Sequence, residues 1–146
     1  MQFTQDELAA LLSGPKPLQL TGLDLTKADL RNTDLSKANL SGANLNLADL
    51  SEARLRYADL SNVNLEDAKL SRANFHGAVM NQANLTDAVL DFADLSGAKL
   101  NKACLDYVNL TETNLSGVEL NGAKYNSATV WPAGFDPVAA GAILEG

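Results

Sequence analysis

The sequence predicts a repeat solenoid with a narrow aliphatic core, and the spacing of its leucines indicates this. A leucine, or a close substitute, stands at every fifth position from Leu20 to Val130, and a small residue stands two places before it. A period of five fits neither a strand nor a helix. Side chains return to the same face after about 2 residues in a strand and after about 3.6 residues in a helix. Self-similarity at a fixed period is typical of repeat architectures, which stack one unit on the next.

The composition limits both the core and the class of partner. The 146 residues leave room for one domain, and the chain is 46% hydrophobic but 5% aromatic, so Ala and Leu must fill its core. A formal net charge of −7 opposes direct nucleic-acid binding, which needs clustered Lys and Arg. The chain has neither a membrane-length apolar run nor a signal-peptide pattern, so we expect a cytoplasmic protein without membrane contact.

Residues 1–17 are predicted to form a short capping helix and a linker. Thr4 is the expected N-cap, with Glu7 as its reciprocal partner, and Gly14 followed by Pro15 ends the helix. So short a helix needs a surface to cover, and the open end of a repeat stack supplies one. The apolar residues expected to cover that end are Phe3, Leu8, Leu11 and Leu12.

The repeat is predicted to run without insertion over residues 18–130, and residues 131–146 are predicted to form a C-terminal cap. Trp131 and Phe135 are large apolar residues where the second end of the core needs cover. Asp136 as N-cap and Pro137 as first helical residue predict one last helical turn.

The repeat unit runs small residue, Asn or Asp, Leu and two polar residues, as in Ala38-Asn39-Leu40. This unit resembles that of the pentapeptide repeat proteins. The resemblance implies an all-β solenoid, a right-handed quadrilateral β-helix in which four pentapeptides make one square coil. The Trp131-Pro132-x-Gly134-Phe135-Asp136-Pro137 segment and the N-terminal helix are similar to those of cyanobacterial members.

With twenty residues in each coil, position n stacks on position n+20, and the residues at the leucine positions point inward. Val130 should then lie above Leu110 in the core. The central core residues predicted in this way are Leu40, Leu45, Leu50, Leu55, Leu60, Leu65, Leu70, Phe75, Met80, Leu85, Leu90, Leu95 and Leu100.

The sequence predicts no catalytic, cofactor or metal site. His76 is the single histidine and Cys104 the single cysteine, which is too few for a transition-metal cluster. The glycines that follow leucine by two places fit turns that need a permissive backbone, not a nucleotide-binding loop. We therefore expect that the protein is not an enzyme.

Two groups of outward residues are candidate contact sites. Val79, Val89 and Phe92 are apolar, and Val89 and Phe92 are expected to share a face, with Val79 around one corner. The acidic group is either a solvated face or a site for a cation or a basic partner. Its members are Glu66, Asp67, Asp87 and Asp106.

The preferred interpretation is a non-enzymatic scaffold that binds a protein partner and is itself a monomer. Two alternatives come from the family resemblance. One is a DNA-mimicking modulator of gyrase or topoisomerase, as in the fluoroquinolone-resistance members. The other is a regulator of cyanobacterial development.

Overall fold

The computed structural model describes residues 1–146 and shows a β-helix solenoid preceded by one helix. Helix α1 spans Gln5–Leu12, and the two-residue strands β1, Lys124–Tyr125, and β2, Ile143–Leu144, pair in parallel. Between α1 and β1 the chain forms parallel β-bridges that join each position to the one twenty residues on. The predicted solenoid is therefore confirmed.

Backbone hydrogen bonds hold each coil to the next. In the first coil, Leu20 N–H donates to Asn39 O at 2.7 Å and Gly22 N–H donates to Ser41 O at 3.0 Å, while Asn39 N–H donates back to Leu18 O at 2.9 Å. The same three bonds recur at nearly every pentapeptide. Each of these bonds joins residues about twenty positions apart, which is one coil. The backbone therefore sets the register of the whole stack.

A tight turn follows every leucine position, so each coil of twenty residues contains four turns. In one of them Ala28 N–H donates to Leu25 O at 3.0 Å, and Lys27 adopts φ 61°. A positive φ at the third residue with this hydrogen bond is typical of a type II turn. Between turns, three residues per pentapeptide run straight and carry the β-bridge.

The core consists of the leucine positions together with the small residues two places before them. All the central leucine positions from Leu40 to Leu100 are at most 1% exposed, as are nearly all of the alanines beside them. Leu and Ala supply most of this core, and Phe75 is the one fully buried aromatic residue in it. Burying each leucine contributes about 1.5–3 kcal/mol.

The residue before each leucine position, here named the acceptor position, explains why Asn and Asp recur there. Every Asn or Asp at this position between Asp24 and Asn114 accepts, through Oδ1, the N–H of the residue two places on. Asp94, for example, accepts from Ser96 N–H at 2.9 Å. That N–H opens the turn and has no backbone partner, so the side chain supplies one.

The second turn residue has positive φ throughout, yet glycine is required at few of these positions. Lys, Asn, Glu, Arg and even aromatic residues adopt φ between 56° and 61° there. Gly77 is an exception, because a Cβ on it would lie 2.5 Å from Cε1 of Tyr57 in the coil before. The Tyr57 ring covers Gly77 and meets His76 edge-on, with ring centroids 5.4 Å apart.

Helix α1 lies on the first coil and is capped by Thr4, whose Oγ1 accepts the Glu7 N–H at 3.1 Å. The reciprocal hydrogen bond predicted from the Thr4 N–H to the Glu7 side chain is absent. Gln2 pairs with the first coil by donating its N–H to Asp24 O at 3.2 Å. Leu8 is buried, and three partly buried residues also pack on the core: Phe3, Leu11 and Leu12.

The predicted inward position of Val130 is wrong, because the chain inserts one residue just before it. The last isolated bridge joins Asn109 to Val130, which is one residue more than the usual step. Three residues, 126–128, take the place of two in this turn, and Val130 consequently occupies an acceptor position and is 49% exposed. Trp131 moves into the leucine position that Val130 was expected to fill.

The C-terminal segment folds back over the last coil. Trp131 packs edge-on against Tyr125 at 5.2 Å between ring centroids, and stacks on Phe135 at 5.3 Å. Asp136 Oδ1 accepts the Ala139 N–H at 3.1 Å and so caps a single turn of chain. Strand β2, which the sequence did not predict, then adds to the edge of β1.

A lysine at a central leucine position should unfold the protein. We expect Leu60→Lys to lose several kcal/mol, because a buried charge there has neither water nor a partner. Asn62→Lys is the matched control, since Asn62 is exposed at a turn position where Lys27 and Lys37 already occur. Thermal unfolding followed by circular dichroism measures both. Equal midpoints would contradict the inward assignment of the leucine positions.

Gly77→Ala should cost more stability than Gly97→Ala. Both glycines have φ 67°, so backbone strain is the same, but only the Cβ at position 77 collides with Tyr57. Displacing that ring loses its aromatic contact with His76, about 0.5–1.5 kcal/mol. Chemical denaturation gives the difference in unfolding free energy, and a difference of zero would show that the Tyr57 ring contributes nothing.

Candidate protein-binding surface

Val89 departs from the local pattern of the fold. It stands at an acceptor position, bridged to Lys69 and Asn109, but its side chain offers no acceptor. The N–H of Asp91, two residues on, therefore has no hydrogen-bond partner within the protein. The position is one where Asn or Asp would satisfy a backbone donor, and an apolar side chain has taken its place.

Further apolar side chains lie around Val89. Phe92 is 51% exposed at the turn that follows, and Tyr107 is 57% exposed at the turn that leads into the segment stacked on Val89. Val130 lies two coils beyond Val89 in the same column of bridges, with Asn109 between them. We name the region formed by Val89, Phe92, Tyr107, Val130 and the carboxylates among them the Val89 surface.

The two segments that form the Val89 surface carry negative charge and no positive charge of their own. Residues 86–92 and 106–112 contain four carboxylates and no Lys or Arg: Asp87, Asp91, Asp106 and Glu112. Of these, only Asp91 has a hydrogen-bond partner, the Ser71 hydroxyl. One oxygen of Asp106 is buried and has no partner at all. The basic residues nearby, Lys69 and Arg72, both belong to the preceding coil.

Carboxylates in the first coils are, by contrast, held by neighbours. Arg31 donates from Nε and Nη2 to the two oxygens of Asp29, at 2.9 and 2.8 Å. These hydrogen bonds, together with that from the Arg31 N–H, lower the pKa of Asp29 to about 2. Hydrogen bonds from Ser36 likewise lower the pKa of Asp34, which also pairs with Arg54 at 3.7 Å. Three carboxylates of the Val89 surface, Asp87, Asp106 and Glu112, lack such partners, as do Glu52 and Asp67 in the earlier coils.

Arg72 supports the Val89 surface from the coil before. Its guanidinium carbon lies 5.0 Å from the centre of the Phe92 ring, a cation–π distance. This contact holds the ring over the preceding coil and leaves half of it open to solvent. Phe92 is therefore positioned against the preceding coil, with one side of its ring exposed.

Val79 does not join this surface, and its predicted place around one corner from Val89 is wrong. Two turns, closed by Ala83 N–H to Met80 O and Ala88 N–H to Leu85 O, separate the two valines. Val79 lies in another column of bridges, between Asp59 and Lys99, and is half-buried. It too leaves a turn donor, the Asn81 N–H, without a partner.

The predicted acidic group is divided by the structure. Asp87 and Asp106 belong to the Val89 surface, and Asp67 lies under Asp87 in the same column of turns. Glu66 is engaged with a neighbour, because its Oε2 accepts a hydrogen bond from Asn84 Nδ2 at 3.4 Å. No group of three His, Cys, Asp or Glu side chains is arranged to hold a metal ion.

His76 and Cys104 are tied to neighbouring side chains. His76 Nδ1 lies 2.8 Å from the Ser96 hydroxyl, which in turn donates to Asp94 Oδ1 at 2.6 Å. Cys104 Sγ lies 3.3 Å from the Thr86 hydroxyl. Two open grooves, of about 430 and 380 Å³, lie under α1 and beside Phe135, at the two ends of the stack. No helix has the length and apolarity that crossing a membrane requires.

The chain belongs to the pentapeptide repeat family. The family model for pentapeptide repeats matches eight copies, over residues 19–51, 48–87, 68–106 and 93–124. The pentapeptide repeat protein Rfr23 from the cyanobacterium Cyanothece 51142 is 31% identical, with 77% of this chain and 90% of that one covered and a TM-score of 0.47. The family resemblance of the repeat unit is thus confirmed.

Two further solved structures resemble the chain at lower identity. QnrB1, a plasmid-mediated fluoroquinolone resistance protein, is 16% identical in a trypsin-treated form, over 84% of this chain and 79% of its own, with a TM-score of 0.55. HetL from Nostoc sp. strain PCC 7120, involved in heterocyst differentiation regulation, is 26% identical over 86% and 84%, with a TM-score of 0.41. QnrB1 shares the fold alone. A comparison with proteins of curated function gives no match.

Restoring the missing acceptor should stabilise the protein. Val89→Asn and Val79→Asn each place an amide oxygen where it can accept the Asp91 or Asn81 N–H, a gain of about 0.5–1.5 kcal/mol. We expect both variants to melt above the wild type, by about 2–4 °C per kcal/mol. Calorimetry measures the shift. If both variants melted below the wild type, the turn amide would not be an unmet donor.

Proposed function

We propose that this chain is a non-enzymatic scaffold that binds another protein through the Val89 surface. The observation that carries the proposal is the unpartnered Asp91 N–H between two exposed apolar side chains, Val89 and Phe92. A residue that gives up a local hydrogen bond and exposes apolar surface weakens the fold at that point. Such departures from local consistency are typical of functional positions.

Val130 shows that an apolar residue at an acceptor position does not always leave a turn N–H without a hydrogen bond. Two residues after it stands Pro132, which has no N–H and therefore needs no acceptor. Val130 is accounted for by the local backbone, whereas Val89 and Val79 are not. Val89 differs from Val79 in lying beside exposed aromatic side chains and free carboxylates, and this supports a binding role for Val89.

The finer architecture is part of the same proposal. We propose that residues 18–130 form a right-handed quadrilateral β-helix, supported by four turns in each coil and by the right-handedness usual for parallel connections. Residues 1–17 and 131–146 would cap its two ends and keep the protein a monomer. Flat sides bounded by turns offer a rigid surface for a partner and little concavity for catalysis.

Crosslinking the protein to its partner in the source cells tests the proposal. Photo-crosslinking from a benzophenone side chain placed at Tyr107 should yield one adduct that Val89→Asn abolishes and Val79→Asn retains. Both variants are expected to be stabilised, so loss of the adduct cannot come from unfolding. An adduct of equal yield with the benzophenone-bearing protein alone and with its Val89→Asn and Val79→Asn variants would contradict binding through the Val89 surface.

Removing the N-terminal cap should cause end-to-end association. Deleting residues 1–15 exposes the apolar end of the first coil and the backbone of Asp24, to which Gln2 is bonded. We expect light scattering to show dimers or larger species, while circular dichroism retains the β signal. A truncated protein that stayed monomeric and equally stable would show that the helix is not a cap.

A further inference from the structure

We infer that the partner presents a segment in which apolar side chains alternate with lysine or arginine, an inference that rests on the protein-binding function proposed above. The inference follows from the order of groups on the Val89 surface. Val89, Phe92 and Tyr107 alternate with Asp87, Asp91 and Asp106 along two stacked coils. A complementary segment needs the same alternation with the opposite charge.

The charges favour a basic segment over a neutral or acidic one. Four carboxylates lie on the surface, and three of them, Asp87, Asp106 and Glu112, make no hydrogen bond or ion pair within the protein. An acidic partner would meet this uncompensated charge and be repelled. A lysine or arginine would instead give these carboxylates the partners that Arg31 gives Asp29 in the first coils.

The apolar groups fix the segment in place. Phe92 is held by Arg72 on one side of its ring, so its free side is a preformed contact for an aliphatic or aromatic side chain. The Asp91 N–H lies between Val89 and Phe92 and has no acceptor within the protein, so a backbone carbonyl of the partner would supply one. Apolar contacts and this donor select a peptide chain over a polyamine or a simple cation, which would use the carboxylates alone.

Synthetic peptides of equal length test the inference with the full-length protein. One alternates lysine with leucine and valine, a second replaces the apolar residues by serine, and a third replaces the lysines by glutamate. Fluorescence anisotropy measures each dissociation constant against the wild type, Val89→Asn, Asp87→Asn and Glu112→Gln. Val79→Asn and Glu52→Gln are the matched controls, because Glu52 lies at the same turn position as Glu112 in an earlier coil.

The lysine–apolar peptide should bind the wild type at least about tenfold more tightly than the other two peptides. Val89→Asn, Asp87→Asn and Glu112→Gln should each weaken that binding several-fold, and the two controls should not. Added salt should weaken it further, because exposed charges are screened.

Two results would overturn the inference. Binding of the lysine peptides that Val89→Asn leaves unchanged would mean that diffuse negative charge attracts them. Tighter binding of the glutamate peptide, abolished by Val89→Asn, would mean that the surface binds a partner of different chemistry. Tighter binding of the glutamate peptide would leave the proposed function standing. If Val89→Asn leaves binding of the lysine peptides unchanged, the crosslinking experiment decides the proposed function.

Discussion

Hydrogen bonds between backbone groups in successive coils are the interaction on which the rest of the structure depends. They place each residue against the one twenty positions on, so that leucine stacks on leucine and turn on turn. Once this register is set, the side chain at each of the five positions has one task. Two positions fill the core, one accepts a turn amide, and two form the turn. Function is therefore confined to outward positions, and a departure from the repeat is visible at a single residue.

The acceptor position links local structure to the proposed function. Asn and Asp satisfy the N–H that opens each turn, and this recurrent bond accounts for their frequency better than solubility does. Lys99 and Glu119 also lack a suitable oxygen, but in those turns the amides of Asn101 and Asn121 find an asparagine of the preceding coil. The Asp91 N–H has no such substitute, and neither have the amides that follow Arg54, Lys69, Val79 and Cys104 by two residues. The Asp91 N–H differs from these in lying where apolar and acidic side chains meet.

The period of the sequence sufficed to predict the solenoid and the inward leucines, because burial repeats with the backbone register. It did not predict the extra residue before Val130, since Tyr125, Val130 and the spacing between them still fit a period of five. The structure reveals the one-residue shift, because Thr129 is buried and its hydroxyl donates to Leu105 O at 2.7 Å. The candidate surface was found in part. Val89 and Phe92 were recognised as exposed and apolar, but the lost acceptor required knowledge of which amide Asn and Asp satisfy. Tyr107 and Glu112 join the surface because position n stacks on position n+20, which the period already predicted.

Amide hydrogen exchange measured by NMR on the wild-type protein shows whether Asn and Asp at the acceptor position protect the turn amides and whether Val89 leaves one unprotected. The amides of Thr86 and Ser96 are bonded to acceptor-position side chains, whereas those of Asn81 and Asp91 lack partners, and all four lie in neighbouring turns of the stack. We expect the amides of Thr86 and Ser96 to be protected and those of Asn81 and Asp91 to exchange much faster. Equal protection of Asp91 and Ser96 would contradict this expectation, because Asp91 would then have a partner within the protein and Val89 would break no local pattern.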